Sequence, residues 1–353
     1  MRRLLRGLWK LFKYALVTAL LVVAGLAAPV AYIETSCAPK GEVEPYEALL
    51  PAESHRAEGR SLLTYPEWHI VHAYEEYAEV IRTEDPHDFN YLSSIGGFWS
   101  SLCSLSEASG PQGGFPGEFK STIYTIGVSF TAEMLAKAAY EETIGRATAW
   151  ARGTPRSALD DLSASQAKDY SQFLRQTPWY KWDFMTDAAA LEAHPAATPR
   201  DAERRVALKL EYKAKAKYAR VIAGAVANMK PDALRLRMMI TGLNAMEIGA
   251  YEGVRVIQRR TEGTVIETPR YRALTGLMKR MADDGANFVE IAGNDDILLS
   301  VLSDAPLEGA LYSAPRQGFE DMRHLMITKV TGLAQLLRQL EERDLQLEHI
   351  HDY

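Results

Sequence analysis

The residues best suited to chemistry stand close together early in the chain. In "TYPEWHIVHAYEEYAEVI", residues 64–81, His69 and His72 lie three apart and are followed by Glu75, Glu76 and Glu79. Imidazole nitrogen and carboxylate oxygen are the donors that zinc and iron sites use. On a helix, His69, His72, Glu76 and Glu79 fall on one stripe, so His69, His72 and Glu76 are candidate ligands for a divalent transition metal. An ordinary amphipathic helix shows water the same stripe, and His72 with Glu76 is a routine i, i+4 pair. This stretch contains neither the His-Glu-x-x-His zinc pattern nor the Glu-x-x-His pair of di-iron helices.

A second set of charges extends an apolar face. Phe119, Ile123, Ile126, Phe130 and Met134 recur at the helical period, and the same face continues as Glu133, Lys137 and Glu141. Such a face either emerges into solvent or lines a polar cleft, and in the second case Glu133 joins the candidate site. His349 and His351 of "EHIHDY" could add a third and fourth ligand, although a terminal tail is expected to be disordered. The aromatic run Trp179, Tyr180, Trp182 and Phe184 reads as core. No Cys-x-x-Cys-His is present, which argues against covalent haem.

These side chains need elements to hold them. A helix is expected from about Pro66, in its first turn, to about Arg82. Another should cover 165–176 and end at "TPWYKWDF". The clearest start is "TPRDAERR", with Thr198 as N-cap, Pro199 in the first helical position and Asp201 in the first turn, running to about Met229. Beyond Pro231, "ALRLRMMIT" and "GVRVIQRRTEGTVI" read as strands and "PRYRALTGLMKRMADDG" as a helix stopped by Gly285. "ANFVEIAG" and "DDILLSVLS" then read as a hairpin across Gly293-Asn294. Phe319, Met322, Met326, Val330, Leu333, Leu337 and Leu340 form one apolar seam, expected as a C-terminal helix packed on the long helix or on a second copy. No internal repeat is visible in the sequence.

The leader places the chain. Arg2, Arg3, Arg6, Lys10 and Lys13 precede an uncharged, mostly apolar run of 20 residues at 14–33. About 20 helical residues cross a bilayer, and basic flanks stay in the cytoplasm. The expectation is a single-pass plasma-membrane protein with its N-terminus cytoplasmic and its ectodomain periplasmic or extracellular. A cleaved signal peptide is the alternative, since Gly25-Leu26-Ala27 offers small residues. All 46 acidic residues follow the leader in a chain of net charge −6, so the ectodomain is acidic and a poor match for nucleic acid. Two cysteines in an oxidising compartment suggest a Cys37–Cys103 bridge.

The expected architecture is α+β: a basic flank at 1–13, a transmembrane helix at 14–33 that meets the bilayer, a linker at 34–64 and a helical region at 65–230. A β-β-α-β-β unit at 231–305 and an amphipathic helix with its tail at 306–353 follow. The expected function is a membrane-anchored binding or scaffolding module, with partner or self-association through the 319–340 seam. The alternative is a metal-dependent enzyme built on His69, His72 and Glu76 with Glu133, which requires those groups to converge.

Overall fold

The computed structural model describes residues 2–56, 60–152, 156, 158–226 and 234–352. Eleven α-helices occur among them: α1 (Arg2–Ser36), α2 (Arg60–Thr83), α3 (Tyr91–Ala108), α4 (Gly117–Tyr140), α5 (Arg146–Arg152), α6 (Ala158–Leu174), α7 (Phe184–Ala193), α8 (Pro199–Val226), α9 (Ala245–Gly249), α10 (Arg272–Asp283) and α11 (Val330–Gln339). The strands are β1 (Arg235–Thr241), β2 (Arg255–Arg259), β3 (Thr264–Pro269), β4 (Asn287–Ile291), β5 (Asp296–Ser303), β6 (Tyr312–Pro315), β7 (Met322–Lys329) and β8 (Gln346–His351). The class is α+β, with two four-stranded antiparallel sheets.

Within α1, Phe12–Ser36 is long and apolar enough to cross a membrane and is hardly covered by the rest of the fold. Its end is tied down twice. Glu34 accepts from Lys120 (2.9 Å) and from Tyr124 (2.5 Å) of α4, and Cys37 is disulfide-bonded to Cys103 of α3. The bridge spans 66 residues, a loop whose closure stabilises the fold by about 4 kcal/mol on the chain-entropy estimate.

Helix α2 is buried along both sides. Ala73, Tyr74, Tyr77, Val80 and Ile81 join Phe98, Phe130 and Tyr170 in the helical core. On the other side Leu62, Tyr65, Trp68 and Val71 pack with Leu298 of β5 and Leu325 of β7. The helix begins before Pro66, which is tolerated inside it because proline removes a single backbone bond near the N-terminus. Helix α8 starts as its sequence demands: the Asp201 amide donates to Thr198 Oγ1 and the Thr198 amide donates to Asp201, each at 3.1 Å. Its expected end at Met229 lies outside the described residues.

The C-terminal half corrects the sequence reading. The sheets run β2-β3-β1-β4 and β6-β7-β5-β8, every neighbour antiparallel, with α10 joining β3 to β4 and α11 joining β7 to β8. These are two copies of one β-β-β-α-β plan with the split β-α-β crossover. Thr275-Gly276-Leu277 and Thr331-Gly332-Leu333 recur near the starts of the two helices, and both last strands carry a bulge at the same place, at Val289 and at Glu348. The expected 231–305 unit therefore cuts across a boundary: β4 and β5 are not a hairpin but belong to different sheets, linked by a bridge between Ile291 and Asn294. The stretch "GVRVIQRRTEGTVI" is two strands with a turn closing at Gly263.

The 319–340 seam is not one helix. Phe319 sits in a turn under Arg316, residues 322–329 are strand β7, and only 330–339 are helical. Apolar steps of three and four arise by accident, because Met322 and Met326, four apart, share one face of strand β7, which runs into a short helix. The seam's helical part is buried against the fold, since Val330, Leu333 and Leu337 join α10, β1, β4 and β5 in the core shared by the two sheets. The expected C-terminal tail is strand β8 at the edge of the second sheet, with His349 and His351 at most 1% exposed.

Candidate functional site

The polar stripe of α2 does not face water. His69 is 9%, His72 1% and Glu76 8% exposed, because the second sheet covers the stripe. β8 runs beside α2, and the Ser61 hydroxyl of α2 donates to the His351 carbonyl at 3.1 Å while accepting from the Leu298 amide at 3.2 Å. These bonds fix the register in which the histidines of helix and strand meet.

The structure divides the predicted ligands. His72 Nδ1 lies 3.8 Å from Glu75 Oε2 and 3.5 Å from Glu348 Oε1. Ligand atoms of all three residues lie within 4.8 Å of one another. His69 turns the other way, its Nε2 donating to the Ser94 carbonyl of α3 at 2.9 Å. Glu76 accepts from Arg323 Nη1 at 2.8 Å and from the Gln317 amide at 3.2 Å. Glu133 belongs to a separate seam between α4 and α8, where Tyr74 donates to it at 2.5 Å and Lys215 meets it at 2.8 Å. The charged end of α4 thus lines a polar seam, yet it does not reach His69 or His72. Glu141 is buried there between Arg200 and Arg204.

Arg323 of β7 organises the carboxylates. It grips Glu348 in a bidentate pair at 2.7 and 2.8 Å and reaches Glu76 with its remaining arm. Glu75 is held by Arg175, and Arg316 lies 3.9 Å from it while pairing with Asp321 at 2.7 Å. This ion-paired set contains four carboxylates and three guanidiniums, so it retains one negative charge.

Burial and the neighbouring guanidiniums set the protonation states of the site. Burial pushes His72 below its usual range and brings His69 and His351 to about 3, so the imidazoles are neutral at pH 7, with a lone pair available. His349 is lowered by burial and by the nearby His351 and His72. Burial would raise Glu75, but His72 and Arg175 outweigh it and hold the carboxyl at about 2. Glu348 is likewise raised by burial and lowered further by Arg323 and His72.

Several of these groups lack a hydrogen-bond partner. They are both ring nitrogens of His72 and of His351, Nε2 of His349, Nδ1 of His69 and Oγ of Ser300, which faces α2 from β5. A buried polar atom left unsatisfied costs about 1–3 kcal/mol. Such atoms are few in folded proteins, and this helix–sheet interface gathers several of them.

A cleft of about 440 Å³ opens beside this interface, lined by Tyr65, His69, Glu76, Ser94, Tyr312 and Arg323. Arg323 lines the cleft with Glu76, to which it is bonded, and grips Glu348 with its other two nitrogens.

Sequence reasoning named His72 and missed Glu75, Arg323 and Glu348 as its partners. The available signal was the i, i+2 spacing of His349 and His351, which suits one face of a strand. No protein-family model matches the chain, and no curated protein or solved structure matches it either.

Proposed function

We propose that this chain is a membrane-anchored, exported binding module whose folded part holds a divalent transition metal at His72, Glu75 and Glu348. The observation that carries the reading is a pair of distances. At 3.8 and 3.5 Å, His72 Nδ1 is too far from Glu75 and Glu348 for good hydrogen bonds. Two ligands bound at about 2.1 Å to one tetrahedral ion stand about 3.4 Å apart. The spacing is that of groups sharing an ion.

Binding is favoured over catalysis by enclosure. A catalytic ion keeps a position open to substrate. Here the neighbouring cleft is lined by Glu76 and Arg323 but not by His72, which is 1% exposed. The anchor reading is supported by the apolar span of α1 and the basic residues before it.

Elemental analysis of the full chain, purified in detergent without a histidine tag, tests the proposal. One equivalent of a transition metal in the wild type, absent in His72→Ala, is the expected result. A wild type that contains none, and that neither binds nor is thermally stabilised by zinc, cobalt, nickel, copper, iron or manganese, overturns it.

A further inference from the structure

The geometry points to the cleft between α2, the start of α3 and β6 as a binding site for an uncharged polyhydroxylated ligand, a mono- or disaccharide. The site lies outside the His72, Glu75 and Glu348 group, and the inference does not depend on a metal there.

The sequence of α3 makes the space. Ser93, Gly96, Gly97 and Ser100 fall on one face at the helical period, and all four line the cleft. Larger side chains there would fill the gap between α3 and the second sheet: a Cβ on Gly97 would already stand 2.8 Å from His69 Cε1 and 3.3 Å from the Tyr312 hydroxyl. From the other side β6 contributes Tyr312 and Ser313, and the Tyr312 hydroxyl lies 3.5 Å from Ser100 Oγ. The volume of about 440 Å³ falls within the range of about 300–1,000 Å³ usual for small-molecule sites.

The lining selects the class of ligand. Its formal charges are Glu76 and Arg323, paired at 2.8 Å, and the other two nitrogens of Arg323 are taken by Glu348. Each nitrogen of Arg323 thus already serves a carboxylate, and its charge is matched within the fold rather than held for an anion. The remaining polar groups are mostly hydroxyls, those of Tyr65, Ser93, Ser94, Ser100, Tyr312 and Ser313. A hydroxyl both donates and accepts, which is what the neighbouring hydroxyls of a sugar require. Tyr65 and Tyr312 also bring aromatic carbon to the lining, which suits the C–H surface of a sugar ring.

Two of the lining residues carry polar atoms that the fold leaves without a partner. Ser94, 6% exposed, makes no hydrogen bond through Oγ, and His69, 9% exposed, makes none through Nδ1. His69 Nε2 gives its proton to the Ser94 carbonyl, so Nδ1 of the neutral ring holds a lone pair and can only accept. A carboxylate has no proton to offer that atom at neutral pH. A ligand hydroxyl does, and a hydroxyl can also accept from Ser94. Such a ligand would satisfy both atoms.

Calorimetric titration of the full-length protein, held in a detergent whose headgroup is not a sugar, tests this with glucose, galactose, mannose, N-acetylglucosamine, maltose, cellobiose and myo-inositol as probes. At least one should bind, one molecule per chain, and glucuronate and galacturonate should bind about tenfold or more weakly than the best neutral probe. Ser94→Ala removes an oxygen that the fold does not use, so it should melt as wild type does and weaken binding about tenfold. Ser93→Trp places a bulky ring at an exposed position of the lining and should abolish binding, which keeps the test decisive if Ser94→Ala fails to fold. Binding that survives in the folded variants unchanged lies elsewhere on the chain and refutes the inference, as does a panel in which no probe binds at millimolar concentration. Uronates that bind as tightly as the neutral probes refute the ligand class. The elemental analysis above decides the metal reading separately.

Discussion

Glu290 and His349 occupy the same position in the two copies of the β-β-β-α-β unit, each following the bulged residue of its last strand. Each meets an N-terminal segment of the chain laid over its sheet. Glu290 accepts from the Tyr46 hydroxyl at 2.7 Å and from the Leu49 and Leu50 amides at 2.5 and 2.8 Å, while His349 packs under Trp68 of α2. One plan thus receives two straps, the linker on the first sheet and α2 on the second.

Glu290→Ala should loosen the first strap. It removes the acceptor for three donors, one of them a buried backbone amide, and should cost about 2–4 kcal/mol. Limited proteolysis is the local check, with new cleavage expected around residues 46–50. Urea denaturation within about 0.5 kcal/mol of wild type would show that the linker is held by Leu50 packing alone.

Arg323→Met should destabilise the fold by about 3–5 kcal/mol, because it leaves Glu76 and Glu348 buried without their guanidinium. Arg323→Lys should restore little, since a single ammonium cannot reproduce two parallel bonds to Glu348 and a third to Glu76. A lysine variant as stable as wild type in thermal unfolding would refute the bidentate account.

Stability without metal should fall as pH drops below about 6.5. The unfolded histidines bind protons near that pH, whereas His69 and His351 remain neutral to about 3 and His72 and His349 are also depressed. Between those limits the unfolded state binds more protons, and each such group removes up to about 1.4 kcal/mol per pH unit. Glu75 and Glu348, both depressed, act with the same sign at lower pH, their stabilisation being lost as pH falls through their folded values. Urea midpoints for chelator-treated protein at pH 7, 6 and 5 should decline in order, and equal midpoints would rule out four neutral buried imidazoles.

Gly96 and Gly97 should respond oppositely to alanine. A Cβ on Gly97 would stand 2.8 Å from His69 Cε1, whereas one on Gly96 meets nothing within 4 Å. Gly97→Ala should cost about 1–3 kcal/mol by forcing His69 from Ser94, and Gly96→Ala should gain about 0.5–1 kcal/mol from helix propensity. Equal effects in thermal melts would mean that His69 is not wedged against α3.

How much of this was legible depended on range. Local chemistry spoke clearly: Thr198 and Asp201 cap α8, Gly285 stops α10 at a φ of +102°, and the cysteine pair is bridged. The burial of α2 was not legible, because its second apolar side, Leu62, Tyr65 and Trp68, is matched by residues more than two hundred positions later. For the same reason His72 could be named while Glu348 could not. The repeat escaped because its two copies share strand order and a bulge but little sequence beyond Thr-Gly-Leu.

The separation of His72 from Glu348 along the chain also orders events during synthesis. Helix α2 leaves the ribosome hundreds of residues before β8, so its histidines must wait beside an unfinished sheet. Contacts of such range form late, after both ends of the loop between them have been ordered. The helix–strand interface is therefore an assembly checkpoint: a molecule stalled or clipped before residue 348 presents α2 with Trp68 and His72 lacking their β8 partners, a surface that quality-control proteases can read as incomplete.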